Sequence, residues 1–167
     1  MYIMLKEILQ NSIIKELKLI KRLSTKVPAG TEDFRPRENV RSMIELLQYL
    51  STCGTGMLQF WQSGETEPRP FLMKLRELAP MVTLENAPAI FDAQIDLVNE
   101  LFANITEHDL ATKEVTHPAG SKGLLAEGII ETSIKWLTGY KMQLFLYLKE
   151  VSEEALSTPD LWRKTED

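Results

Sequence analysis

The chain has 167 residues, of which 44% are hydrophobic and 26% charged, a composition typical of a folded globular protein and not of a disordered one. Nineteen lysines and arginines against twenty-four aspartates and glutamates give a net charge of −5, which argues against a protein that binds mainly nucleic-acid phosphates. One cysteine, Cys53, excludes an intramolecular disulfide and a zinc site built from cysteines, and two histidines, His108 and His117, leave little material for a histidine-rich metal site.

The N-terminal residues lack the basic region and apolar run of a signal peptide. The most apolar segment, residues 124–148, is interrupted by Glu127, Glu131, Lys135 and Lys141, so we expect no membrane-spanning helix and no membrane partner. A lone cysteine fits a reducing compartment. We therefore expect a cytoplasmic protein.

Apolar residues at spacings of three and four predict an amphipathic first helix over about residues 3–25, which ends before Pro28. Residues 29–39 contain Gly30, Pro36 and many charges, and we interpret them as a loop. Lysines and Arg22 give the first helix a mildly positive strip, which we interpret as a solvated face and not as a binding surface for DNA.

Ser42 and Glu45 have the spacing of a capping box, which predicts the start of a second helix. Gly54 and Gly56 weaken this helix by roughly 1 kcal/mol each relative to alanine. They either end the helix or permit close packing. We favour continuation to about Gln62, because the sequence that follows Gly56 is too apolar for an exposed turn.

Residues 71–78 predict a short helix that Pro80 ends, and Pro88 suits the first turn of a third long helix that continues to about Ile105. Residues 106–120, which hold both histidines, are interpreted as an irregular connection. A fourth helix is predicted over about residues 121–151, and its apolar residues spread beyond one face, as in a central or interface helix.

These elements predict an all-α fold, a four-helix bundle with a long connection between the second and third helices. No alternation long enough for a β-strand of consequence is present. We expect one domain over residues 1–155, followed by a polar and loosely held C-terminal tail over residues 156–167.

Two segments stand out: the first reads FRP at residues 34–36 and RSMIELLQYL at residues 41–50, and the second reads YKMQLFLYL at residues 140–148. They resemble the DinB/YfiT-like superfamily of four-helix bundles, in its DinB-like family. Members of the family carry a pattern similar to R-S-x-x-E-L-L-x-H-L on the second helix and H-x-x-x-H-R-G-Q-L on the fourth. The two patterns occur in the expected order, about 90 residues apart, so the resemblance covers nearly the whole chain.

The resemblance implies a divalent metal, often nickel or zinc, bound by one histidine on the second helix and two on the fourth. The matching positions in this chain are Tyr49, Trp136 and Tyr140, so all three expected ligands are replaced. A tyrosine phenol with a pKa near 10 is a weak ligand, and tryptophan offers no lone pair to a metal. We therefore expect no metal cofactor. A site rebuilt from His108 and His117 with Glu45 or Glu131 would need a new geometry.

Two interpretations of Tyr49, Trp136 and Tyr140 stay open. The rings either fill the former metal cavity as core, or line a pocket that binds a small molecule by stacking and hydrogen bonding. Cys53 follows Tyr49 by one helical turn and joins these three residues as a candidate pocket residue.

Cys53 is interpreted as a buried, unreactive thiol, because nothing in its helix supplies a cation or a base to activate it. Glu45 is interpreted as a helix cap, and Glu127 and Glu131 as solvated carboxylates. No G-x-S-x-G segment for serine catalysis is present.

The sequence thus predicts a DinB-like protein with a degenerate, metal-free site that acts through binding or association. Two alternatives are a thiol-dependent transferase or isomerase similar to enzymes of the superfamily, and a small-ligand sensor with an aromatic pocket between the second and fourth helices. Whether the chain is an enzyme stays open. The apolar excess on the fourth helix and the dimers known among relatives predict a homodimer.

Overall fold

The computed structural model describes residues 4–165, which are mostly helical. The first helix, α1, spans Leu5–Ser24 and buries the predicted apolar stripe from Leu9 onward, whereas Leu5 and Ile8 at its start are exposed. The start predicted at residue 3 lies outside the described residues. The α1 prediction is otherwise confirmed, because apolar residues at helical spacing can cover one face of a core.

The second helix, α2, spans Met43–Cys53 and begins at the predicted capping box. The Ser42 backbone N–H donates to Glu45 Oε2 at 2.8 Å, and the Glu45 N–H donates to Ser42 Oγ at 3.4 Å. Glu45 is therefore a helix cap, as expected.

The prediction that this helix continues to Gln62 was wrong, because a turn at Gly54 separates α2 from α3, Gly56–Ser63. A Cβ atom on Gly54 would lie 2.7 Å from Leu137 Cδ1, and one on Gly56 would lie 2.7 Å from Leu72 Cδ2. The two glycines both interrupt the helix and permit close packing.

The short helix predicted near residue 71 is present as α4, Pro68–Leu78, which buries none of its residues. It follows Gly64, whose φ of +79° a residue with a side chain rarely adopts. The next helix, α5, spans Ala87–Ala103 and carries Pro88 in its first turn as predicted.

The interpretation of residues 106–120 as irregular, without strands, was wrong. Helix α6 spans Glu107–Thr112 and is followed by an antiparallel pair of strands, β1 (Glu114–Thr116) and β2 (Lys122–Leu124), with Val115 opposite Gly123. The indole N–H of Trp61 donates to the Thr116 carbonyl at 2.9 Å and ties this hairpin to α3. Tertiary contacts of this kind stabilise strands too short to show a periodic pattern.

The last long helix begins at Leu125, later than the predicted residue 121, because residues 122–124 form β2. It has three parts: α7 (Leu125–Ile129), a π-helical segment (Ile130–Ile134) and α8 (Lys135–Val151). Sequence periodicity alone did not reveal the π-helical segment.

The C-terminal tail differs from the expectation of a loosely held segment. Residues Thr158–Trp162 form helix α9, in which Asp160 and Leu161 are buried, and Leu156 just before it is buried too. Residues 166 and 167 lie outside the described residues. Residues 156–165 therefore do not form a single polar tail.

Four long elements build the core. Helix α1 packs against α5 and α8, and α2 packs against the same two helices. Their buried faces form one cluster that also takes in residues of α6, α7 and α9. Within residues 4–165, no helix is long and apolar enough to cross a membrane.

Candidate functional site

Tyr49 on α2 and Tyr140 on α8 meet directly. Their ring centroids lie 4.6 Å apart with the planes inclined at 63°, an edge-to-face contact. Both rings are half-buried and pack against the core. The two aromatic side chains therefore occupy the space between α2 and α8 at this point.

Trp136 lies one helical turn before Tyr140 and is half-buried against the core. Among residues 4–165 it makes no ring contact with another aromatic side chain. The structure therefore brings together two of the three predicted aromatic residues.

Cys53 lies one turn after Tyr49 on α2 and is 3% exposed. Burial raises the pKa of the Cys53 thiol to about 12, and the nearby guanidiniums of Arg76 and Arg41 offset only part of this effect. A thiolate is therefore strongly disfavoured at neutral pH, as in an unreactive buried cysteine. The same feature argues against Cys53 as a nucleophile for the thiol-dependent alternative.

The donor set at the three matching positions does not fit nickel or zinc. Burial, with the neighbouring Cys53 and Tyr140, raises the pKa of Tyr49, so its hydroxyl resists conversion to the phenolate that would bind a metal. Trp136 has no lone pair to offer. In addition, no group of three or more His, Cys, Asp or Glu residues within residues 4–165 has the arrangement of a metal site.

The two histidines lie outside this region of α2 and α8. His108 is exposed on α6, and His117 is half-buried in the turn between β1 and β2, where its backbone N–H donates to the Ser121 carbonyl at 2.8 Å. Glu127 and Glu131 are exposed as expected, and Glu131 pairs with Lys135 at 2.6 Å.

Two arginines, which the sequence did not mark as site residues, lie over the Tyr49 ring. The guanidinium carbon of Arg41, just before α2, is 4.0 Å from the ring centroid, and that of Arg76, on α4, is 4.8 Å from it. Arg41 also lies 5.4 Å from the Tyr140 ring centroid. Cation–π contacts of this kind contribute about 0.5–1 kcal/mol each at exposed positions.

An open groove of about 310 Å³ adjoins these side chains. It is called the Tyr49 groove below and is lined by Arg41, Ile44, Glu45, Gln48, Tyr49, Arg76, Met81 and Val82. Its volume is at the lower end of the range for small-molecule sites. The groove lies between α2, α4 and residues 81–82. Tyr140 on α8, where the sequence predicted a pocket, is not among the residues that line it.

Gln48 fixes one wall of the groove. Its side-chain N–H donates to the Pro80 carbonyl at 3.0 Å, and its amide oxygen accepts the Val82 backbone N–H at 2.8 Å. Asn86 adds a third bond, from its amide to the Met81 carbonyl at 3.0 Å. Met81 is thereby held 78% exposed at the groove edge.

The sequence offered a weak signal for Arg41, which precedes the capping box, and none for Arg76. Arg76 reaches Tyr49 because α4 folds back against α3 and also contacts α2. This arrangement follows the turn at Gly64 and the close approach of Leu72 to Gly56. Contacts between residues so far apart in sequence leave no local pattern.

Comparisons with models of known protein families, with curated proteins and with solved structures found no match. The DinB-like resemblance therefore stays a prediction from the motifs on α2 and α8.

Proposed function

We propose that this chain is a metal-free DinB-like four-helix bundle that acts by binding a small molecule in the Tyr49 groove. The single observation that carries the proposal is the open groove against Tyr49, the position at which the resemblance expects the first metal ligand. The cyclic packing of α1, α5, α2 and α8 supports the four-helix bundle. A cytoplasmic location stays a prediction from the sequence.

The groove has the composition of a binding site. Ile44, Met81 and Val82 supply apolar surface, and Arg41, Arg76 and the Tyr49 ring supply the means of orienting a ligand. Sites of this kind combine apolar walls with a few polar groups that fix orientation. The Tyr49 ring, which lines the groove, packs edge-to-face against Tyr140 at a centroid distance of 4.6 Å.

The first experiment is elemental analysis of the purified chain with a screen of small organic fragments by protein-observed NMR. We expect less than stoichiometric transition metal, and fragment-induced shifts in the amides of residues 41–49 and 76–82. Stoichiometric nickel or zinc would contradict the metal-free proposal. Fragments that shift amides elsewhere would contradict the site.

A matched pair of methionines provides the variant test. Met81→Trp places a large ring at the edge of the groove, whereas Met73→Trp makes the same change on α4 outside the groove lining. Both methionines are exposed, at 78% and 51%, so both variants should fold. We expect fragment binding to weaken in the first variant only.

We also propose that the chain forms a homodimer through the helix that contains α8. Leu146 is 54% exposed and Ile130 is 40% exposed on this element, so each leaves apolar surface uncovered. Light scattering at high concentration should give twice the chain mass of 19.1 kDa, and Leu146→Glu should return it to the monomer mass. A monomer mass for the unmodified chain would contradict the dimer.

A further inference from the structure

Within the described part of the chain, the two arginines of the Tyr49 groove lack an acidic partner. Among residues 4–165, neither the Arg41 nor the Arg76 guanidinium forms an ion pair with a carboxylate. The Arg41 guanidinium carbon lies 4.0 Å and that of Arg76 4.8 Å from the same ring centroid, so the two like charges are at most 8.8 Å apart. Such a pair repels itself in the empty groove and is relieved by a bound anion.

Glu45 is the acidic residue of the groove lining, and its carboxylate is already engaged. One oxygen, Oε2, accepts the Ser42 backbone N–H at 2.8 Å and lies 3.4 Å from the Arg35 guanidinium. The Ser42 hydrogen bond is the main reason why the pKa of Glu45 is lowered, and Arg41 adds a longer-range contribution. Glu45 therefore stays ionised and balances one positive charge, while Arg35, Arg41 and Arg76 supply three.

The remaining polar groups leave little for a ligand except the guanidiniums. The Gln48 amide is used on both sides by the backbone of Pro80 and Val82. Burial, with Cys53 and Tyr140 nearby, raises the pKa of Tyr49, so its hydroxyl stays neutral and adds no charge to the groove. The walls at Ile44, Met81 and Val82 are apolar. A ligand therefore meets a cationic side and an apolar side.

We propose that the Tyr49 groove binds a small organic oxyanion, a carboxylate or a phosphate ester, on an apolar or aromatic body. The oxyanion pairs with Arg41 and Arg76, whose planar guanidiniums match the geometry of both groups. The body packs against Ile44, Met81 and Val82. This inference rests on the proposed function and adds the chemical class of the ligand.

The test is an NMR titration of the full chain with four probes. Phenylacetate and phenyl phosphate carry the proposed combination, phenylacetamide has nearly the same shape as phenylacetate without the charge, and inorganic phosphate has the charge without the apolar body. We expect both charged aromatic probes to bind about fivefold or more tightly than phenylacetamide, and added salt to weaken them. The comparison of phenylacetate with phenyl phosphate distinguishes the two oxyanions.

Arg76→Gln is the decisive variant, with Arg69→Gln as its control. Both arginines are exposed on α4, but Arg76 lines the groove and Arg69 does not. We expect Arg76→Gln to weaken the charged probes about fivefold or more and to leave phenylacetamide unchanged, and Arg69→Gln to change each by less than about twofold.

The inference is overturned if phenylacetamide binds as tightly as phenylacetate, if the two arginine variants behave alike, if inorganic phosphate binds as well as phenyl phosphate, or if no probe binds. The proposed function is judged separately by the fragment screen. Suppose that neutral fragments bind at residues 41–49 and lose affinity in Met81→Trp. This result would support a binding groove but would contradict the proposal that its ligand is an oxyanion.

Discussion

The region where α9 packs on α1 and the Tyr49 groove both contain cationic side chains, but they differ in their carboxylates. Arg22, Lys141 and Lys164 in the first each lie beside a carboxylate, whereas Arg41 and Arg76 in the groove form no ion pair within residues 4–165. Lys141, which is fully buried, lies 2.8 Å from Glu16 Oε2 and 4.3 Å from the centre of the Trp162 ring. Beside it, Arg22 pairs with Asp160 at 3.0 Å. We call this set the α9 cluster.

The cations of the two regions have different surroundings and therefore different roles. In the α9 cluster, a buried cation without a carboxylate would lose its hydration free energy with no attraction to offset the loss. The buried cations are therefore paired with carboxylates. In the Tyr49 groove the guanidiniums lie on aromatic rings beside open space, where water or a ligand can reach them. The first arrangement stabilises the fold, whereas the second leaves two guanidiniums accessible to the proposed ligand.

The largest expected effect is on stability, in the α9 cluster. Asp160→Ala removes the carboxylate beside Arg22 and the cap that accepts the Ser157 N–H at 2.8 Å. We expect the free energy of unfolding, measured by urea denaturation, to fall by about 3 kcal/mol. Glu154→Ala, which removes an exposed partner of Lys26, should cost less than about 0.5 kcal/mol. Equal losses would show that burial of the pair does not matter.

A smaller effect on stability is expected where α2 meets α8, from two glycine-to-alanine substitutions that should change the free energy of unfolding in opposite directions. In Gly54→Ala the new methyl would approach Leu137 Cδ1 to 2.7 Å, and because Leu137 is fully buried we expect a loss of about 1–3 kcal/mol. In Gly139→Ala the methyl meets nothing within 4 Å on exposed α8 surface, so a gain of about 0.5–1 kcal/mol is expected. Thermal or urea unfolding of both variants checks the signs. A neutral Gly54→Ala would mean that α2 and α8 can separate to admit it.

Lowering the pH should also reduce the stability that the α9 cluster contributes. Burial raises the pKa of Asp160, but hydrogen bonds from Ser157 and the ion pair with Lys164 lower it more, to well below the ordinary value of 3.8. The stabilisation is therefore complete above about pH 4 and is lost as the pH falls toward the folded-state pKa. The free energy of unfolding should fall more between neutral pH and about pH 3 in the unmodified chain than in Asp160→Asn. Equally steep falls would assign the acid sensitivity to other carboxylates.

The smallest effect on stability is expected at the groove. Arg76→Gln removes a cation–π contact with Tyr49 and also relieves repulsion from Arg41, so the two changes largely cancel. We expect the free energy of unfolding to change by less than about 0.5 kcal/mol, as measured by urea denaturation. A loss as large as that of Asp160→Ala would erase the distinction between the two regions.

Most of the helices could be predicted from the sequence because their signals are local. The stripe of α1, the Ser42–Glu45 capping box and Pro88 in the first turn of α5 each lie within a few residues of the element that they define. The hairpin β1–β2 and helix α9 escaped prediction because distant residues hold them. Trp61 bonds to Thr116, and Arg22 pairs with Asp160 across 138 residues of chain.

The site was predicted in part. The contact of Tyr49 with Tyr140 joins two of the expected positions, but the groove beside them depends on Arg76 and on the path of residues 80–82. Lys141 carried a usable signal, because it shares a face with Leu137, Leu144 and Leu148, all buried. In the sequence, the charge of Lys141 interrupts an apolar segment, but Lys141 is buried in the core.

The pairing of Arg22 with Asp160 also bears on how the chain folds as it is synthesised. Translation at about 5–20 residues per second adds Asp160 only about 7–28 seconds after Arg22, because the two residues are 138 positions apart. During that interval α1 can pack against α5, but the Asp160 carboxylate has not yet been made, so this part of the core stays hydrated. We therefore expect the core around Arg22 to close only after α9 has been synthesised.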